Sequence, residues 1–219
     1  MMSLRSVLTT FALAIAVGAQ ANLIQNGSFE SVPGPATGAG LLPNNWIAGF
    51  GAPNTFSNDG SYGLSPSFGN LFLDTVAQDG IRFVGGASTE PDEVAQLLSA
   101  PLVEGERYRL SGWIHRSSST SMPDDGSFVV SIRSTTDAER VLGTFDATTS
   151  YEWQFRSFEF TAPTNSANLP LLVFSPISSS FTGAYMGLDN VNLEVVPEPG
   201  TLLALGLGAL ILVRQRRKH

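Results

Sequence analysis

Acidic side chains and one histidine are the residues of this sequence that could support acid–base catalysis. His115 is the one histidine before the final residue, and the chain has no cysteine, so disulfides and thiolate sites are excluded. The adjacent acidic pairs, Asp92-Glu93 and Asp124-Asp125, each follow a proline in turn-like sequence. No Gly-x-Ser-x-Gly, phosphate-loop or zinc motif is present. The sequence favours a non-catalytic protein. The alternative is a glycan-active enzyme with two carboxylates from distant strands, about 5 to 9.5 Å apart.

Aromatic and polar residues alternate with a period of two between residues 107 and 115. In a strand this period places Arg109, Ser111, Trp113 and His115 on one face, opposite Tyr108 and Leu110. Sugar binding needs aromatic surface beside hydrogen-bonding groups. The predicted ligand-binding residues are Trp46, Tyr62, Arg109, Trp113 and His115. The alternative for each tryptophan is packing in the core.

Other stretches share this period, and no long stretch keeps a helical one. Residues 127–133 and 185–195 alternate between apolar and polar side chains, and turn pairs such as Asp79-Gly80 and Asp125-Gly126 separate the predicted strands. Near Trp153 the apolar phase changes before Phe158, which predicts a β-bulge between them. The pattern predicts an all-β antiparallel sandwich.

Residues 31–70 differ from the rest of the domain. They are rich in Gly, Pro, Asn and Ser, yet they include Trp46, Phe56, Tyr62 and Phe68. A structureless stretch of this length is unusual inside a compact domain. The segment is therefore either a set of functional loops or contains strands that its sequence does not reveal.

The first 21 residues have the three parts of a secretory signal. Arg5 provides the positive charge, an apolar run follows, and Ala19 and Ala21 are small residues at the positions that a signal peptidase inspects. We expect a signal helix over residues 1–21 and cleavage after Ala21. The exported domain is then residues 22–196, and export places it outside the cytoplasm.

The last residues, 197–219, also have three parts. Pro197, Glu198 and Pro199 precede an uncharged apolar run, residues 202–213, and four basic residues follow it. The run is about 18 Å long as a helix, short for a bilayer core of about 30 Å. We expect a short transmembrane helix with its basic end in the cytoplasm.

This tail closely resembles the PEP-CTERM sorting signal of Gram-negative bacteria. The resemblance implies that Pro197, Glu198 and Pro199 are the motif that an exosortase recognises before it removes the tail. It also implies a host that makes exopolysaccharide and biofilm matrix. The expected route is transient anchoring in the inner membrane, followed by the cell surface or the extracellular matrix.

The exported domain is strongly acidic. Residues 22–196 contain seven arginines, no lysine and 18 acidic residues, a net charge of −11. Such a domain repels the phosphate backbone, so nucleic acid is excluded as a partner. The charge is compatible with calcium or with neutral ligands such as polysaccharide.

Five segments of the domain resemble the galactose-binding-like jelly rolls, which include several families of carbohydrate-binding modules. They are residues 22–30 (NLIQNGSFE), 94–98 (VAQLL), 104–113 (EGERYRLSGW), 153–162 (Trp153 with FEFTA) and 188–193 (LDNVNL). The resemblance implies a jelly-roll sandwich. It also implies a structural calcium ion held by Glu30 and Asp189 with backbone carbonyls, because calcium prefers six to eight oxygen ligands.

Together these features predict an exported, non-catalytic protein of the envelope or extracellular matrix that binds carbohydrate or associates with exopolysaccharide. A structural surface or adhesion protein without a glycan pocket is the alternative.

Overall fold

The structure is a computed structural model that describes residues 22–73, 75–134, 139–146, 151–178 and 180–197. The predicted signal helix and C-terminal transmembrane helix lie outside these ranges. Within them, no helix has the length and apolar character needed to cross a bilayer. Short 3₁₀ turns occur at Phe68–Asn70 and Ser166–Asn168.

The described residues form twelve strands. Their bounds are β1 Ala36–Thr37, β2 Ile47–Phe50, β3 Asn54–Ser57, β4 Tyr62–Gly63, β5 Arg82–Ala87, β6 Glu93–Leu97, β7 Arg107–Arg116, β8 Gly126–Arg133, β9 Glu139–Phe145, β10 Gln154–Thr161, β11 Leu171–Ser178 and β12 Tyr185–Val195.

Ten of the strands form two five-stranded sheets. Sheet 1 has the order β10-β7-β12-β5-β3, sheet 2 has the order β2-β6-β11-β8-β9, and β1 pairs with β4. Every pairing inside the two large sheets is antiparallel. The predicted all-β antiparallel sandwich is therefore confirmed.

The main core lies between the two sheets. Alternation along β7 turns Tyr108, Leu110 and Ile114 inward, and alternation along β8 turns Phe128 and Val130 inward to meet them. All of these side chains are at most 1% exposed. Burying a large apolar side chain stabilises a fold by about 1.5–3 kcal/mol. The burial of these alternating apolar side chains therefore stabilises the packing of the two sheets.

A second apolar cluster covers part of the outer face of sheet 1. The segment after β4 folds back over β5 and β12, so that Leu64 and Phe72 pack with Phe56, Phe83 and Tyr185. The stretch 31–70 thus contains short strands as well as a covering layer.

The phase change near Trp153 has a different cause from the predicted bulge. Strand β10 pairs with β7 in unbroken register from Gln154 to Thr161, so that prediction is wrong. Phe158 packs on the main core, whereas Phe155 lies on the outer face and is 52% exposed. Register shifts occur instead in the pairings of β12 with β7, of β2 with β6 and of β8 with β9.

Candidate functional site

Three of the five predicted ligand-binding residues, Trp46, Tyr62 and His115, are buried. Trp46 is 4% exposed, packs against Phe29 at 4.8 Å between ring centroids, and donates its indole N–H to the carbonyl of Asn26 at 2.9 Å. Tyr62 is 3% exposed and donates its hydroxyl to the carbonyl of Leu42 at 2.6 Å. Both polar atoms are satisfied by backbone, as is usual for buried aromatic residues.

Arg109, Trp113 and His115 share the outer face of sheet 1. Arg109 is exposed and contacts Glu159 at 2.7 Å and Glu194 at 3.3 Å. Trp113 is half-buried, and its ring meets that of Phe155 edge-on at 5.5 Å. His115 lies under the second cluster and is 3% exposed. The five residues therefore do not form one site.

His115 is packed against the rings of Phe72 at 5.6 Å and Trp153 at 5.1 Å, and burial lowers its pKa. An unfolded histidine takes up its proton near pH 6.5, above the pH at which folded His115 does so. We therefore expect this residue to make the free energy of unfolding fall as pH drops below about 6.5.

The His115→Phe variant should lose that part of the pH dependence while it keeps the ring contacts. Urea unfolding of both proteins between pH 5 and pH 7.5 measures the difference. Parallel curves for the two proteins would show that His115 does not contribute.

The outer face of sheet 2 presents a different surface. One continuous row crosses all five strands, in the order Ile47, Ala95, Val173, Ser131 and Val141. The three middle side chains are at most 1% exposed, while Ile47 and Val141 at the ends are 48% and 63% exposed. The middle of this face is therefore covered while its two edges are exposed and apolar; we call the face the sheet 2 trough, its middle the floor and its edges the rims.

Further exposed apolar side chains surround the floor of this trough. They are Leu97 and Ile177, which face outward with their pairing partners, and Phe50, which lies at the end of β2 after a register shift. Phe50 is 63% exposed and pairs with Glu93 across β2 and β6. An exposed aromatic ring thus lies beside the charged part of the trough.

A fixed network of charged and polar groups lies along the floor. Arg133 binds both carboxylate oxygens of Glu93, at 2.6 and 2.8 Å, and also contacts Glu139 at 2.9 Å. The hydroxyl of Ser175 donates to Glu93 at 2.5 Å. Glu93 is 6% exposed although it lies on an outer face. The guanidinium plane is therefore held rigidly, with carboxylates on two sides.

A cleft of about 470 Å³ opens at the β2–β6 edge of the trough. Ile47 and Leu97 line both the cleft and the trough rim, and the polar side chains of Gln25 and Asn45 line the cleft. The Asn45 amide donates to the Gln25 side chain at 2.7 Å. Trp46 also lines this cleft, which places one predicted ligand-binding residue beside it.

The acidic groups of the trough are arranged as ion-pair partners. The nearby Ser131 hydroxyl and the Arg133 guanidinium lower the pKa of Glu139, whereas a general acid at neutral pH needs a raised pKa. Burial raises the pKa of Asp189 to about 8. Asp189, however, is fully buried beneath the backbone of residues 78–79. Neither Glu139 nor Asp189 is therefore placed as an accessible general acid.

Glu30 and Asp189, the predicted calcium ligands, do converge on one loop, residues 78–82. Asp189 accepts the backbone N–H groups of Gln78, Asp79 and Asn190, and Glu30 accepts those of Ile81 and Arg82, all at 2.7–3.0 Å. Gly80 is required at this point, because a Cβ there would lie 2.4 Å from the Glu30 carboxylate. Backbone N–H groups point at the carboxylate oxygens that would have to bind a cation. The residues as placed therefore do not fit calcium.

Sequence reasoning missed the sheet 2 trough. Its charged members come from β6, β8 and β9, which lie far apart in the chain, and the strand order that joins them is not visible in the sequence. The alternation of residues 127–133 was the available signal, since it placed Ser131 and Arg133 together on one face.

Comparison with known proteins gives a family match at the C-terminus. Residues 195–218 match the model of the PEP-CTERM protein-sorting motif. No curated protein matches the chain in sequence.

Solved structures resemble the chain in fold. A cyclase from Fischerella sp. TAU has a TM-score of 0.52 and 16% identity, covering 82% of this chain and 98% of its own. An arabinose-bound α-L-arabinofuranosidase, MgGH51, has a TM-score of 0.53 and 17% identity, covering 80% of this chain and 26% of its own. The CBM22-1 xylan-binding domain of Paenibacillus barcinonensis Xyn10C has a TM-score of 0.49 and 15% identity, with coverages of 82% and 97%.

At such identities the likeness concerns the fold alone. The chain therefore combines a β-sandwich of the jelly-roll type with a PEP-CTERM protein-sorting motif at residues 195–218.

Proposed function

We propose that this chain is a non-catalytic, exported protein that binds a neutral polysaccharide along the sheet 2 trough. The observation that supports this is the cross-strand row from Ile47 to Val141, with its buried floor and exposed apolar rims. A rigid trough on strands holds side chains in place before a ligand arrives, which reduces the entropy cost of binding.

The chemistry of the trough suits a sugar chain. A pyranose ring has apolar C–H faces and a rim of hydroxyl groups. Phe50 offers an exposed aromatic ring for a C–H face, and the planar guanidinium of Arg133 offers a second flat surface. The carboxylate of Glu139 and the amides of Gln25 and Asn45 can bond hydroxyl groups.

Charge favours a neutral ligand. In the trough, Arg133 is flanked by two carboxylates, and the exported domain as a whole has a net charge of −11. Uronic-acid or sulfated polymers would meet repulsion at long range. Neutral glucans, xylans or galactans would not.

The tail supplies the cellular setting of the proposal. The PEP-CTERM motif indicates an exported protein that is sorted to the cell envelope. We propose processing by signal peptidase and exosortase, transient anchoring in the inner membrane of a Gram-negative cell, and release to the surface or matrix. Exopolysaccharide of that matrix is then the proposed ligand.

A second candidate site is the outer face of sheet 1, where Trp113 and Phe155 lie near the charged group of Arg109, Glu159 and Glu194. That surface includes two of the predicted ligand-binding residues. The sheet 2 trough is preferred because its floor is buried and its ion pair is fixed by bidentate contacts.

A glycan array tests the proposed function. We expect the purified full-length protein to bind neutral polysaccharides and to leave acidic ones unbound. Absence of binding to every glycan would favour the alternative of a structural surface or adhesion protein.

A further inference from the structure

We infer that the guanidinium of Arg82 takes the place of a divalent cation where the segment before β1 approaches the last strand, β12, so that the fold closes without metal. The junction consists of Glu30, Asp189 and the loop of residues 78–82 between them. This inference does not depend on the proposed function, because it concerns closure of the sandwich and not the trough.

Every carboxylate oxygen at the junction already has a hydrogen-bond donor. Asp189 accepts from Asn190 on Oδ1 and from Gln78 and Asp79 on Oδ2. Glu30 accepts from the backbone of Ile81 and Arg82 on Oε1, and from the Arg82 side chain on Oε2. A cation at these oxygens would face the positive ends of N–H dipoles, which repel it.

The side chain of Arg82 supplies the positive charge at this junction. Its Nη1 is 3.2 Å from the carbonyl oxygen of Glu30 and 3.1 Å from Glu30 Oε2. Its Nη2 donates to the hydroxyl of Ser61 at 2.7 Å. The side chain is 12% exposed. One guanidinium thus binds three oxygens from two segments, a carbonyl, a carboxylate and a hydroxyl.

The surrounding residues offer little else to a metal. Within the described ranges, no group of three or more His, Asp or Glu side chains could hold a metal ion. Calcium needs six to eight oxygen ligands. A guanidinium needs acceptors around a planar fork, and the junction supplies them to Nη1 and Nη2 of Arg82.

The first test uses the unmodified full-length protein in mild detergent. Thermal melts are recorded in EDTA, in calcium chloride and in buffer alone. We expect the three midpoints to agree within the error of replicate melts, because no state of the protein binds calcium at this junction. A midpoint that rises with calcium or falls with EDTA would overturn the inference.

The second test compares two arginines. Arg82→Gln removes the buried cation, and we expect its midpoint to fall by on the order of 10 °C. Arg107→Gln is the matched control, because it breaks an exposed pair with Glu159, and we expect a change of at most about 2 °C. An Arg82→Gln protein that melts like the wild type would contradict the inference. If that variant does not fold, the thermal melts of the unmodified protein in EDTA and in calcium chloride still test the inference.

Discussion

Replacing Pro197, Glu198 and Pro199 together with alanine should leave the chain in the membrane fraction at its unprocessed length. The triplet lies inside the matched sorting motif, residues 195–218, and proline disfavours both helix and strand. Without it, we expect the proposed exosortase to lose its recognition element, so that release falls to background.

Cell fractionation followed by immunoblotting with an antibody against the exported domain measures this effect. Pro91→Ala, at an exposed position in a turn of the domain, is the control and should be processed normally. Normal release of the triple variant would show that the motif does not direct sorting in this protein.

The variant Arg133→Met should lower the free energy of unfolding by about 3 kcal/mol. The reason is the environment of Glu93, which is 6% exposed and receives two bonds from the Arg133 fork. Removing the arginine leaves a nearly buried carboxylate without its cation, and such losses are much larger than the net value of the pair.

Arg109→Met is the matched comparison for this prediction. Arg109 pairs with glutamates on the two neighbouring strands, but its side chain is 46% exposed, so we expect a much smaller loss than for Arg133→Met. Adding Glu93→Gln to Arg133→Met should restore part of the loss. Equal losses in the two single variants, measured by urea unfolding, would refute the special role of the trough pair.

The strands of the sandwich could be predicted from the sequence because the alternation that indicates a strand lies within the strand itself. A period of two over residues 107–115 and 127–133 needs no knowledge of neighbours, and both segments are strands with the predicted apolar face inward. The bulge could not be read in this way. A change of phase in β10 has two explanations, and only the partner strand distinguishes an inserted residue from an outward-facing Phe155.

The candidate site depended on information that is not local. Trp46 has the same side chain whether it stacks on a sugar or fills a core. The carbonyl of Asn26, which fixes it inside, is twenty residues away. Glu30 and Asp189 both contact residues 78–82, but through backbone N–H groups that no motif specifies. The ion pair of Glu30 with Arg82, 52 residues further along the chain, is likewise not visible in the sequence.

Affinity electrophoresis tests the sheet 2 trough most directly. The protein migrates through native gels containing the neutral polysaccharide that binds best on the array. Phe50→Ala removes an exposed ring from the trough, and Phe155→Ala removes a similarly exposed ring, 63% against 52%, from the outer face of sheet 1. We expect the apparent affinity to fall by up to about tenfold in Phe50→Ala, since stacking of an aromatic ring is worth about 0.5–1.5 kcal/mol, and to be unchanged in Phe155→Ala. Loss of retardation in Phe155→Ala with full retardation in Phe50→Ala would place the binding surface on sheet 1 and contradict the account.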